Sequence, residues 1–328
     1  MNTKNSLKLK TKLLSLFFFI FLSIQLYAQD LLPFVENYTK SDYQGDNQIW
    51  SLAQGNDNAM YFANNYYLLR YDGVKWEKNA LPNKTIIRSI MVDGNRIYSG
   101  SYKEFGYWYR KNGQMNYVSL SKWNKVFKES NNDEIWKIFK FDNQIYFQSF
   151  NGVFILNKKN EIQEVKFPFM VSYCFVVGNE ILVGSVNKGV YKIKNNTFSK
   201  IDNASVLEKN IIHTIQKYQN KTYFFTKKSG VYVMENGVMT AWNNPLNAIL
   251  KSANINVAQF IKNHQLVIGT ASNGLYILDL NDGSYKNINR TNVLMNNSIL
   301  SINQDKENDL WLGLDNGIAH IEVNSPIS

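Results

Sequence analysis

Apolar residues in this chain come in short runs separated by polar turns, and beyond the first 30 residues they rarely fall at helical spacing. Seven runs share one pattern: AMYF (59–62), RIYSG (96–100), QIYF (144–147), EILVG (180–184), KTYF (221–224), QLVIG (265–269) and DLWLG (309–313). Their third or equivalent residues, Tyr61, Tyr98, Tyr146, Leu182, Tyr223, Val267 and Trp311, are 36 to 48 residues apart. That period is a propeller-blade length. An apolar strand precedes each anchor, as in IWSL (49–52), IWKI (135–138), IIHTI (211–215) and ILSI (299–302). A turn and a third strand follow: NGVFIL (151–156), KGVYKI (188–193), SGVYV (229–233), NGLYIL (273–278) and NGIAHI (316–321). A weaker fourth strand completes the unit, such as VKW (74–76), YVSL (117–120) and YKNI (285–288).

Four strands per unit make an antiparallel meander, and the glycine at each second turn suits a hairpin that needs positive φ. Several strands are apolar at every position, as expected where both faces of a sheet pack against neighbours. The spacing therefore predicts an all-β, seven-bladed β-propeller over residues 29–328, with helical turns only near 205–209 and 246–252. The last repeat has three strands, while a spare strand, PFVENY (33–38), precedes the first. The N-terminal strand is thus expected to pair with the last blade and close the ring.

Composition changes the picture mainly at the front. Lys4, Lys8, Lys10 and Lys12 precede a run from Leu13 to Leu26 that is almost wholly apolar, and Ala28 follows. This predicts a signal peptide over 1–28 and a periplasmic mature chain from Gln29. Removing it lowers the formal charge from +10 to +6, because four of the 36 basic residues and none of the 26 acidic ones lie there. The remaining lysines are scattered, which argues against nucleic-acid binding. Cys174 is the single cysteine, so no intrachain disulfide can form, and it is expected to be buried.

Candidate chemistry is sparse. His213, His264 and His320 stand apart in sequence, which predicts neither a metal site nor a catalytic histidine, and no nucleotide or nucleophile motif occurs. No cofactor is expected. Four of the five arginines (Arg70, Arg88, Arg96, Arg110) fall in the first two repeats, which does not suit the arginine clamp of a propeller glycosidase. The stretch from Ser301 through Asp305 to Trp311 resembles the Asp-box turn of such enzymes, read here as a folding motif. Binding suits the turns between second and third strands, which vary while the strands persist. They supply the candidate ligand residues Asn64, Tyr66, Tyr102, Glu104, Phe150, Asn187, Lys188, Lys227, Asn273 and Asp315.

Two stretches carry a family resemblance. Residues 299–318 follow the pattern I..I.QD..N.LWLG...GI. The first repeats read NYTKSDYQGDNQIWSLAQ (37–54), MYFANN (60–65), LLRYDGVKWE (68–77) and GSYKEFGYW (100–108). This resembles the two-component regulator propeller family. The resemblance implies a periplasmic sensor that binds an oligosaccharide or other small ligand. In such proteins further sensor domains, a membrane helix and a kinase or DNA-binding output follow; none is in this chain, which reads either as the front of a longer inner-membrane regulator or as a stand-alone propeller. A homodimer, a carbohydrate-active propeller enzyme and a protein-binding scaffold remain open on the residues.

Overall fold

A strand that packs on both faces needs a sheet on either side, and a ring of radial sheets supplies that to every blade. The computed structural model describes residues 32–122 and 133–323, so the predicted signal segment lies outside the described residues. Blade one holds β2 (Ile49–Gln54), β3 (Met60–Asn64), β4 (Leu68–Tyr71) and β5 (Trp76–Asn79). Blade two holds β6 (Ile87–Asp93), β7 (Arg96–Ser101), β8 (Glu104–Lys111) and β9 (Gln114–Ser119). Blade three holds β10 (Lys137–Phe141), β11 (Gln144–Gln148), β12 (Gly152–Leu156) and β13 (Ile162–Lys166). Blade four holds β14 (Val171–Val177), β15 (Glu180–Ser185), β16 (Val190–Lys194) and β17 (Thr197–Lys200). Blade five holds β18 (Ile212–Tyr218), β19 (Lys221–Thr226), β20 (Val231–Glu235) and β21 (Val238–Ala241). Blade six holds β22 (Ile255–Ile261), β23 (Gln265–Thr270), β24 (Leu275–Asp279) and β25 (Tyr285–Ile288). Blade seven holds β26 (Ile299–Gln304), β27 (Leu310–Leu314) and β28 (Ile318–Glu322), and its fourth strand is β1 (Phe34–Tyr38).

The chain is thus a seven-bladed β-propeller, and the predicted closure is observed. β1 runs antiparallel to β28 with Phe34 opposite Glu322 and Tyr38 opposite Ile318. Asn37 adds a two-way clasp: its Nδ2 donates to the Val293 carbonyl at 2.9 Å and its Oδ1 accepts from Met295 N at 3.3 Å. The inner strands β2, β6, β10, β14, β18, β22 and β26 each touch the next, and β26 touches β2. Central strands β3, β12 and β27 are buried at every position, which explains their unbroken apolar sequence.

The core lies between blades. Trp311 of blade seven joins Tyr38, Ile49, Phe62 and Leu69 in one cluster that bridges the two ends of the chain. Gly313, two residues on, allows this approach: a Cβ there would meet Ser301 Oγ and stand 2.6 Å from the Ile49 carbonyl of blade one. Among the hairpin glycines, Gly189, Gly230, Gly274 and Gly317 have positive φ as expected, but Gly152 does not. A Cβ at Gly152 would instead stand 2.9 Å from the Val165 carbonyl.

Two further differences from the sequence reading are local: a short helix over Lys40–Tyr43, which the reading of helical turns only near 205–209 and 246–252 missed and which buries Tyr43, and the extent of β5. VKW (74–76) is mostly turn, because Asp72 Oδ1 accepts from the Val74 and Lys75 backbones at 3.1 and 2.8 Å, and the strand starts at Trp76. The expected helical turns are present as a 3-10 turn over Ser205–Leu207 and an α-helix over Leu246–Ala253, which buries Leu246, Leu250 and Ala253.

Candidate functional site

The inner strands build the site through a repeated irregularity. Six of them break register between their first and third residues, at Ile49/Ser51, Ile87/Ser89, Val171/Tyr173, Ile212/Thr214, Ile255/Val257 and Ile299/Ser301. A bulge of this kind re-aims the skipped side chain. Five skipped residues, Trp50, Arg88, His213, Asn256 and Leu300, line a central channel of about 420 Å³ to which all seven inner strands contribute, and Trp136, Lys137, Tyr173 and Phe175 complete this end of the wall. Among the described residues no Asp or Glu lines it. These residues begin the inner strands, so they lie at the face where the inter-blade links enter. The second-to-third turns share that face: Lys227 N donates to the Ile211 carbonyl at 2.8 Å, Ala271 N to Asn254 O at 2.9 Å and Asp315 N to Ser298 O at 3.0 Å.

Arg88 sits in a corner formed by two indoles. Its guanidinium carbon is 4.1 Å from the Trp50 ring centre and 4.6 Å from that of Trp136, and the two rings are nearly perpendicular at 85°. Arg88 Nε donates to Glu134 Oε1 at 2.6 Å, whereas its Nη1 is buried without a hydrogen-bond partner. Trp50 is fixed by its Nε1, which donates to Asn65 Oδ1 at 2.7 Å, and Asn65 Nδ2 donates in turn to Asp46 Oδ2 at 2.6 Å. Trp136 stacks on Phe150 with centres 5.2 Å apart and 20° between planes, carrying the aromatic wall out to the turn face.

Lys137 Nζ lies 4.1 Å from the Phe175 ring centre and has no carboxylate within ion-pair distance among the described residues. Burial pushes its ammonium down to about 8 from its ordinary 10.5. The unfolded chain binds that proton more tightly, so this residue makes stability rise as pH increases from about 8 toward 10.5. Replacing Lys137 by Met is expected to raise stability at pH 7 by on the order of 1–2 kcal/mol, less than the full shift implies because the ammonium retains channel water. Urea unfolding of the two proteins measures it; an equal or lower stability for Lys137→Met would contradict the assigned strain.

His213 meets Tyr173 edge to face at 5.8 Å. Burial first, and the charge of Lys227 second, push its imidazole down to about 4 from 6.5. The native ring resists a proton that the unfolded chain accepts, so stability falls as pH drops through 6.5 toward about 4, by up to about 1.4 kcal/mol per pH unit. A Tm-versus-pH series comparing wild type with His213→Gln checks this: the variant should lose less Tm across that window. Cys174 is buried as expected, and burial raises its thiol to about 12, which leaves it protonated and unreactive at neutral pH.

The sequence-derived candidates divide. Phe150 stacks on the lining residue Trp136, and the charge of Lys227 acts on the lining residue His213, whereas Asp315 is held by Gln48, whose Nε2 donates to Asp315 Oδ1 at 2.7 Å and which is not part of the lining. Tyr102 bridges to Glu134, the partner of Arg88, and Tyr66 is exposed beside Asn65. Asn64 is fully buried, and its Nδ2 donates to the Asp46 and Gln48 carbonyls at 2.7 and 3.0 Å. Glu104 Oε1 accepts from Tyr117, Ser119 and Ser121 inside its own blade at 2.8 to 2.9 Å. Asn187 and Lys188 are exposed on the blade-four turn, and Asn273 holds Asn287 Nδ2 at 2.9 Å through its carbonyl. Trp50, Arg88, Trp136 and Lys137 escaped the sequence reading, although the residue after the Ile or Val that opens each innermost segment changes from blade to blade.

One histidine does not stand alone. His320 Nε2 is 3.9 Å from both Asp305 Oδ2 and Asp309 Oδ2, and its ring stacks on Trp311 at 4.4 Å. Asp305 is occupied structurally: it accepts from Trp311 Nε1 at 2.9 Å and from Asp309 N at 2.8 Å, tying the turn between β26 and β27. The Asp-box-like stretch therefore serves folding.

Fold and site together define a seven-bladed propeller with a ligand-sized channel opening on its link face. Residues 293–316 match the two component regulator propeller family, which bears out the resemblance read from residues 299–318. The extracellular domain of BT4673 from B. thetaiotaomicron, described both as a one component and as a hybrid two component system, is similar in structure. It superimposes at TM-score 0.70 and 17% identity over 89% of this chain and 40% of its own. The corresponding domain of BT3049 from the same organism gives 0.70 at 15% identity, covering 88% and 42%. Virginiamycin B lyase from Staphylococcus aureus gives 0.66 at 13% identity, covering 88% and 97%. At these identities the likeness is one of fold, and the chain spans about 40% of the two regulator domains. No curated protein sequence matches it. Among the described residues no helix is long and apolar enough to cross a membrane.

Proposed function

We propose that this chain is the extracytoplasmic ligand-sensing propeller of a bacterial signal-transduction or transcription regulator. It is exported to the periplasm, binds an oligosaccharide at the link face of its channel, and passes the signal to downstream domains of a longer, membrane-anchored protein. The observation that carries this reading is the channel mouth, where indole faces and basic donors stand around a cavity large enough for one or two sugar rings. Aromatic faces stack on sugar rings, and polar turn residues at the same mouth bond their hydroxyls. A ligand bound there contacts several blades at once, so it favours one packing of the ring face over another, which a sensor requires.

Thermal-shift screening of the purified protein against oligosaccharides, with chromatography of the sugars afterwards, tests the proposal. A rise in Tm with the sugar recovered intact supports sensing. Cleaved or eliminated sugar would make the protein a propeller enzyme instead, a reading that the lyase likeness keeps in view at the level of fold alone.

A further inference from the structure

We propose that the channel mouth selects an acidic sugar, with Arg88 and Lys137 holding its anionic group while the ring lies against the aromatic wall. This rests on the sensing proposal and names the ligand class.

Four observations carry it. Among the described residues the channel lining contains Arg88 and Lys137 but no carboxylate, and the one acid bonded to either side chain is Glu134, which engages Arg88 through Nε. Arg88 Nη1 is a buried donor with no acceptor, a lack that an incoming oxyanion would relieve. Trp50 and Trp136 hold the guanidinium in place beforehand, so little side-chain entropy is lost on binding. Lys137 starts the neighbouring inner strand, lines the same cavity and holds its ammonium 4.1 Å from the Phe175 ring centre and 5.8 Å from that of Tyr173. A neutral sugar would leave both donors as they are; a carboxylate or sulfate accepts from both.

Isothermal titration of the purified protein with digalacturonate, with a sulfated galactose and with neutral galactobiose tests the inference. Either acid should bind at least about tenfold more tightly than the neutral sugar, and the stronger of the two identifies the anionic group. Lys137→Met, whose fold is checked by the urea transition above, should lose about tenfold or more for the acid and change little for the neutral sugar. Arg88→Lys should also weaken the acid, because Lys cannot reproduce the planar fork. Equal binding of acid and neutral sugars, acid binding unaffected by Lys137→Met, or no acid binding at millimolar concentration would each overturn the inference. Binding of galactobiose alone would overturn it while leaving the sensing proposal standing.

Discussion

Deleting residues 33–38 is expected to abolish cooperative folding of the propeller at room temperature. The deletion removes all five residues of β1 from the β28 ladder and with them Tyr38, whose ring stacks on Trp311 at 5.9 Å and meets Tyr71 and Trp76 at 5.4 and 5.5 Å. Loss of one such buried aromatic costs about 3–5 kcal/mol. The lost ladder bonds add about 1 kcal/mol each, against a total stability that is usually about 5–15 kcal/mol. It also bares the edge of β28, where Ile318, Ala319 and Ile321 are buried, and an unpaired apolar edge invites aggregation. Circular dichroism and size-exclusion chromatography measure both effects. Grafting the same strand behind β28 through a short turn, as in the other six blades, should restore the fold with reduced stability, because the chain ends no longer latch the ring. A deleted protein that still melted like wild type would show that the ring closes without β1.

Trp311→Ala is the second large effect, with an expected loss of about 3–5 kcal/mol. Its indole stacks on His320, meets Phe62 at 5.7 Å and donates to Asp305, so truncation opens a cavity at the junction of first and last blades and frees the turn at once. Trp311→Phe keeps most of the apolar surface and should cost less, with the lost indole hydrogen bond contributing about 1 kcal/mol. Chemical denaturation of the three proteins checks the order; equal loss for Phe and Ala would mean that the hydrogen bond, not packing, holds the junction.

The blades were legible because each strand is short, four of the hairpin glycines stand where φ turns positive, and the anchors recur at blade length. Even the closure could be read, since three strands at one end and a spare one at the other admit one pairing. The channel was not. Trp50 and His213 sit in sequences that look like ordinary buried strands, and alternation assigns side chains to the two faces of a sheet only while the register holds. The bulge after the first residue breaks it, and the channel into which those side chains are aimed exists only once seven blades have closed. The turns misled for a related reason: Asn64 and Glu104 are polar residues on variable turns, as ligand contacts would be, but their acceptors and donors are spent bracing their own blades. His320 met Asp305 and Asp309 because a meander brings the β26–β27 turn beside β28, a juxtaposition that linear spacing conceals.

In the proposed function, ligand recognition sits at the starts of the inner strands. Hydrogen–deuterium exchange of the purified protein, with and without a saturating oligosaccharide from the thermal screen, tests that placement most directly. Slowed exchange concentrated in residues 49–52, 87–90, 135–138, 171–176 and 211–214 is the predicted result. Protection confined to the outer strands or to the face opposite the links, with these five segments unchanged, would contradict it.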